Sequence, residues 1–199
     1  SPYAISKIYS FYTTKLYRES FKIFACNGIL FNHESPRRGE TFVTRKITIG
    51  LNNLINGIKN NIILGNLNAK RDWGHAREYA EMQWKILQHK NPEDFVISTG
   101  KSYSIKQFVE LSFKLVGIDL IWKGKGLKEV GIINKINNHK IKKLKVNQVV
   151  IKVDKKYYRP SEVDFLKGDS SKARRLLKWT PKISFINLVK DMIKYDVKI

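Results

Sequence analysis

Apolar and polar positions along the chain fall into alternating blocks. From residue 2 to residue 20, tyrosine, leucine and phenylalanine recur at helical spacing and predict a helix. The continuous apolar run from Ile23 to Phe31 reads as a strand buried on both faces, as in a parallel sheet. A polar loop, Asn32 to Glu40, separates it from a second helix over Phe42–Gly57. Ile62-Ile63-Leu64 predicts a short strand closed by Gly65-Asn66, and a helix over His75–His89 stops before Asn91-Pro92. Phe95–Ser98 is a further strand, and Ser104 is placed to cap a helix over 105–116 that ends at Gly117. Short β-branched runs with weak alternation fill Ile118–Val153. Asp169-Ser170-Ser171 then caps a short helix ending at Leu177–Pro181, and a last helix covers Ser184–Asp196. Strands alternating with helices define the α/β class.

Composition narrows this picture only a little. The 199 residues, 42% of them hydrophobic, suffice for one domain with its own core and room for a small second lobe. No apolar stretch approaches the roughly 18 residues of a membrane span, and the first residues lack the pattern of a signal peptide. A single cysteine, Cys26, excludes an internal disulfide, fits a reducing compartment and reads as core filler. The formal charge of +21 admits two readings. One is a nucleic-acid partner; the other is a lysine-, isoleucine- and asparagine-rich composition of the kind an AT-rich genome produces. Lysines are scattered over every segment, and the one dense run, His139 to Lys145, lies in a hairpin region. No helix-turn-helix or RNA-recognition pattern accompanies them, so the expectation is no nucleic acid and no membrane.

Candidate chemistry is sparse. Tyr3 and Lys7 lie one helical turn apart on the same face. A tyrosinate base working near neutrality needs its pKa lowered by about 3 units, or about 4 kcal/mol, part of which a neighbouring ammonium can supply. The same spacing also describes a solvated helix stripe, so it assigns no chemistry alone. Gly124-Lys125-Gly126 imitates a dinucleotide fingerprint, but Glu129 stands in place of the third glycine and no helix is expected after it. His33, His75, His89 and His139 have no ligand-like spacing, so no metal is expected. Three arginine-bearing turns are more informative: Arg37-Arg38 after Pro36, Arg71-Asp72-Trp73-Gly74, and Tyr157-Tyr158-Arg159. Guanidinium groups at strand ends suit bidentate capture of phosphate oxygens, although any one of them could equally form a surface ion pair.

With these turns in view, a family resemblance emerges. Ser1-Pro2-Tyr3-Ala4 with Lys7, the block Asn27 to Lys46, Leu64-Gly65-Asn66, Arg71 to Ala76, Pro92 to Ile97, and Arg159-Pro160 with Glu162-Val163 resemble GDP-mannose 4,6-dehydratases. These enzymes belong to the extended short-chain dehydrogenase/reductase superfamily, and the resemblance runs along essentially the whole chain. It implies the C-terminal part of a Rossmann-like parallel sheet, about residues 1–40 with later returns, plus a smaller α/β substrate-binding lobe mainly over 41–199. The glycine-rich half and the elimination Thr and Glu of the family are expected to lie outside these residues, leaving the chain inactive alone. From 122 to 150 the polar positions have drifted toward Lys and Asn.

The resemblance also implies roles. Tyr3 would be the general base and Lys7 its tuner, with Lys7, His33 and Arg38 contacting NADP. Asn32, Val43, Lys46, Arg71, Arg159 and Glu162 would bind GDP-mannose: Val43 and Lys46 where the guanine pocket begins, Arg71 and Arg159 on the pyrophosphate. The product would be GDP-4-dehydro-6-deoxymannose, made with recycled NADP in cytoplasmic nucleotide-sugar metabolism. The Arg37-Arg38-Gly39 loop would reach a neighbouring subunit in a homo-oligomer, a tetramer in the family. The alternatives are another sugar-nucleotide dehydratase or epimerase, and a non-catalytic basic binding module.

Overall fold

The computed structural model describes residues 1–158 and 163–198. It forms two compact units, each assembled from three stretches of chain. The first comprises Ser1–His33, Asp72–Lys101 and Lys167–Ile183, the second Glu34–Arg71, Ser102–Leu166 and Ser184–Ile199.

In the first unit the strands Gly28–Leu30 and Phe95–Ile97 pair in parallel, Gly28 opposite Phe95. The helices Ala76–Leu87 and Ser171–Leu177 contribute to one core with them: Tyr79, Met82, Ile86, Phe95, Ile97, Ala173 and Trp179 are all buried there. Cys26 packs against that core, and burial pushes its thiol up, as expected of an inert filler. The helix Pro2–Phe21 begins at an Ser1 cap, carries proline at its first position and stops where Lys22 turns left-handed at φ 54°. No residue of it is buried. It is fastened by Arg18, which holds Asp94 at 2.7 and 3.0 Å, while Asp94 accepts from the Asn27 amide nitrogens at 2.8 and 3.1 Å.

One sequence expectation fails here. The run Ile23–Phe31 is not a strand buried on both faces: only Gly28–Leu30 is extended in a sheet, and Ile23, Phe24 and Ile29 are exposed. Hydrophobicity marked the segment correctly as apolar, but among the described residues its strand is paired along one edge alone, with Phe95–Ile97.

The second unit is built on a mixed four-stranded sheet ordered Ile62–Leu64, Val149–Val153, Val130–Ile136, Ile118–Lys123. The first pair is parallel and the others antiparallel. Three helices accompany it: Val43–Ile55, Ile105–Leu115 and Phe185–Asp196. Their amphipathic faces bury Leu51, Leu54, Phe108, Phe113, Leu188 and Met192. Ser104 caps its helix as expected, in a complete capping box with Gln107. Gly117, at φ +85°, closes that helix in a conformation that side chains disfavour. Within the lysine-dense stretch, Ile141 and Leu144 are buried while the lysines point outward. Among the described residues no helix is long and apolar enough to cross a membrane.

Candidate functional site

Tyr3 and Lys7 project from the first turns of the Pro2–Phe21 helix, and the Lys7 ammonium lies 5.4 Å from the centre of the Tyr3 ring. Both line a cavity of about 750 Å³ in the first unit. Its walls come from the same helix (Ile8, Ser10, Phe11) and from the strand segment Asn27–Leu30, and His33 closes it. The His33 ring is fixed from two sides. Its Nδ1 pairs with the Phe31 carbonyl at 2.9 Å, and its face stacks on Tyr79 at 5.0 Å between centroids. Three residues assigned to one reaction centre from sequence, 30 positions apart along the chain, therefore meet in a single cavity. Tyr79 itself was not anticipated. Its hydroxyl is buried without a hydrogen-bond partner among the described residues, and burial pushes the phenol strongly upward.

Asn32, also in the first unit, accepts a hydrogen bond from the Gly74 nitrogen at 2.9 Å. Glycine is required at 74, because a Cβ there would lie 2.2 Å from the Tyr79 ring. Beside it, the fully buried Asp72 accepts from the Thr99 nitrogen and hydroxyl at 2.8 and 2.6 Å, from the Gly100 nitrogen at 2.9 Å and from the Gly168 nitrogen at 3.2 Å. One carboxylate thus ties three stretches of backbone together, a role hidden in the sequence because every partner is remote.

A second cavity, of about 510 Å³, lies in the second unit. Lys46, Ile49, Gly50 and Asn53 form one wall, the i, i+3, i+4, i+7 stripe of the Val43–Ile55 helix. Lys59 to Ile63 form another, and Glu40 and Tyr157 complete it. Gly50 permits the close approach of helix and strand, since a Cβ there would sit 2.8 Å from Ile62. The Lys46 ammonium rests 3.3 Å from the centre of the Tyr157 ring. Burial lowers its pKa from 10.5, Tyr157 opposes that, and the charges of Lys59 and Lys156 push it further down. Val43 stands one turn earlier on the same stripe. Of this cavity's lining the sequence had assigned a binding role to Lys46 alone, and Val43 is not part of the lining. Asn53, Asn60 and Asn61 carry no motif, and Glu40 and Tyr157 stood in quoted segments without a role of their own.

The remaining expected residues are dispersed. Arg38 is turned onto its own unit, its Nε 3.3 Å from Glu34 and its guanidinium 3.6 Å from the centre of the Phe42 ring. Glu34 is buried, which raises its pKa, against the pull of the Thr44 hydroxyl at 2.6 Å and the Arg38 charge. Arg71 ends the short strand Lys70–Arg71, paired with Tyr103–Ser104, and donates to the Lys70 carbonyl at 2.9 Å. Arg159 and Glu162 lie outside the described residues. The loop around Arg38 is held by buried Arg45, which donates to the carbonyls of Pro36 and Arg38 and pairs at 3.0 Å with Asp196, itself bound by the Thr48 hydroxyl at 2.5 Å.

The fold is shared with solved sugar-nucleotide dehydratases and epimerases. RMD from Pseudomonas aeruginosa complexed with NADPH superposes with a TM-score of 0.74 at 14% identity, over 98% of this chain and 56% of that one. The dTDP-glucose 4,6-dehydratase of Bacillus anthracis in complex with NAD gives 0.70 at 16% identity, over 98% and 51%. Sequence narrows the class. The model of the GDP-mannose 4,6 dehydratase family matches residues 1–192, and the chain belongs to that family. It is 51% identical over 199 residues to a GDP-mannose 4,6-dehydratase of Vibrio cholerae, covering all of this chain and 54% of the relative. The human GDP-mannose 4,6 dehydratase is 47% identical, with 100% and 51% covered. The chain spans about half the length of the curated relatives it matches.

Proposed function

We propose that the chain provides the proton-transfer pair and the nucleotide-binding cavity of a cytoplasmic, NADP-dependent GDP-mannose 4,6-dehydratase, a hydro-lyase converting GDP-mannose to GDP-4-dehydro-6-deoxymannose and water. The observation that carries this is the meeting of Tyr3, Lys7 and His33 in one cavity, in a chain of that family.

Tyr3 takes the proton of the sugar C4 hydroxyl as oxidation begins. Lys7, one turn away, stabilises the phenolate electrostatically and presents an ammonium to a ribose hydroxyl. The cavity suits a nicotinamide ribose: apolar Ile8, Phe11 and Leu30 line it, while Lys7, Ser10, Asn27 and His33 offer polar contacts. With its Nδ1 occupied by Phe31, His33 keeps Nε2 for such a contact. Bound there, NADP supplies the hydride chemistry of the oxidation and of its reversal. In the second unit's cavity Lys46 and Lys59 offer cations to the nucleotide, and Arg71, outside that lining, is assigned to the pyrophosphate. The loop at Arg37-Arg38-Gly39 is assigned to the cofactor site of a neighbouring subunit in a homo-oligomer.

Calorimetry with GDP-mannose tests this directly. Binding competed by GDP, and not by a polynucleotide at equal phosphate concentration, is the expected result. Salt-sensitive binding to any polynucleotide, without GDP competition, would overturn it in favour of a basic binding module. No glycine-rich phosphate loop is present in the 199 residues, so turnover is expected only when a dinucleotide-binding unit shares the solution. Tyr3→Phe should then abolish turnover while leaving GDP-mannose affinity unchanged.

A further inference from the structure

We propose that Tyr79 is a positioning residue for the first unit's cavity: its ring sets the plane of the His33 imidazole, so that an unprotonated Nε2 is presented to a ribose hydroxyl beside the nicotinamide. The inference rests on the assignment of that cavity to the cofactor. The two rings stack at 5.0 Å between centroids, with 28° between their planes. Tyr79 is itself held. It is buried on the Ala76–Leu87 helix, and Trp179 stands edge-on to it at 6.2 Å and 87°. Gly74 is the complement of this arrangement: a Cβ there would collide with the Tyr79 ring, so the glycine leaves the space that the ring fills. Among the described residues the Tyr79 hydroxyl has no hydrogen-bond partner, so what the side chain contributes is its face.

The stack acts together with a fixed tautomer. His33 Nδ1 pairs with the Phe31 carbonyl at 2.9 Å. A carbonyl only accepts, so in the neutral ring the proton sits on Nδ1 and the lone pair on Nε2. That carbonyl is anchored in turn. The Phe31 nitrogen donates to the Ile97 carbonyl at 2.9 Å, and the next carbonyl, of Asn32, accepts from the Gly74 nitrogen at 2.9 Å. One hydrogen bond alone lets an imidazole swivel about it; a face laid on a second, immobile ring removes that freedom. Lys7 and His33 line the same cavity. An ammonium only donates, a neutral Nε2 only accepts, and a hydroxyl does both. The vicinal diol of a ribose therefore matches the pair, provided that Nε2 stays unprotonated and in place, which is what Tyr79 secures.

Nitrogen-15 NMR of the imidazole in the 199-residue chain tests this without turnover. At about pH 8, where an ordinary histidine is neutral, His33 should show the Nδ1–H tautomer alone. Tyr79→Phe keeps the face and should keep that tautomer. Tyr79→Leu removes the face and Gly74→Ala displaces it, so each should give a mixture of two tautomers. Nicotinamide mononucleotide, the probe, should shift the His33 signals. It should bind Tyr79→Leu and Gly74→Ala about three- to tenfold more weakly than the unsubstituted chain or Tyr79→Phe. A tautomer mixture in the unsubstituted chain, a measurement that needs no variant to fold, overturns the proposal. So does a folded Tyr79→Leu chain with the tautomer or the affinity unchanged, and the cofactor assignment survives both results. If the mononucleotide leaves the His33 signals of the unsubstituted chain unmoved, the cofactor assignment falls and takes the proposal with it.

Discussion

Arg18 grips Asp94 with both terminal nitrogens, at 2.7 and 3.0 Å, and so fixes the helix that carries Tyr3 and Lys7. The hydrogen bond from Arg18 is the largest influence holding the Asp94 carboxyl below its ordinary 3.8, ahead of those from Asn27. A depressed carboxylate stabilises the fold fully above its unfolded value, and that stabilisation is lost as pH falls through the folded one. The helix should therefore loosen only below about pH 3.8, visible as accelerated amide exchange over residues 2–21. Asp94→Asn should cost about 2 kcal/mol in urea melts and make the exchange fast at neutral pH.

Lys46 gives a pH dependence of opposite sense. Its pKa is lowered mainly by burial, so its ammonium is lost at a lower pH than for an ordinary lysine. The affinity of GDP should fall as pH rises through that lowered value, beginning below 10.5. Lys46→Arg should bind without this fall, since a guanidinium stays charged throughout. Titrations from pH 7 upward would show it, and a flat profile in the unsubstituted chain would remove Lys46 from the anion's surroundings.

Asp72 is expected to matter for stability out of proportion to its size. Asp72→Ala leaves the Thr99, Gly100 and Gly168 nitrogens without their common acceptor, at a cost of about 3 kcal/mol. Chemical denaturation of the variant measures this. A loss under 1 kcal/mol would mean that water replaces the carboxylate.

Gly50→Ala reverses the usual sign. Alanine in a helix interior gains about 1 kcal/mol over glycine, yet here its Cβ would press on buried Ile62 at 2.8 Å. Net destabilisation of about 1 kcal/mol is expected, together with weaker GDP binding because the strand flooring the cavity must move.

Local signals were read well. The Ser104 cap, the stop at Gly117, the strand Ile62–Leu64 and the last helix all depend on residues within a turn of one another, and each stands where the sequence put it. The Tyr3–Lys7 pair was visible for the same reason, and the family resemblance added His33. Remote pairings were illegible. Nothing near Asp72 announces Thr99 or Gly168, and nothing near Glu40 announces Asn60. Ile23–Phe31 misled because apolarity reports a preference for burial without saying what covers the segment.

The clasp of Arg45 on Asp196 has a practical side. Through Arg45, Asp196 steadies the backbone at Pro36 and Arg38, next to Glu40. An affinity handle inserted at exposed His139–Lys140 would leave both this clasp and the Tyr3–Lys7 helix alone.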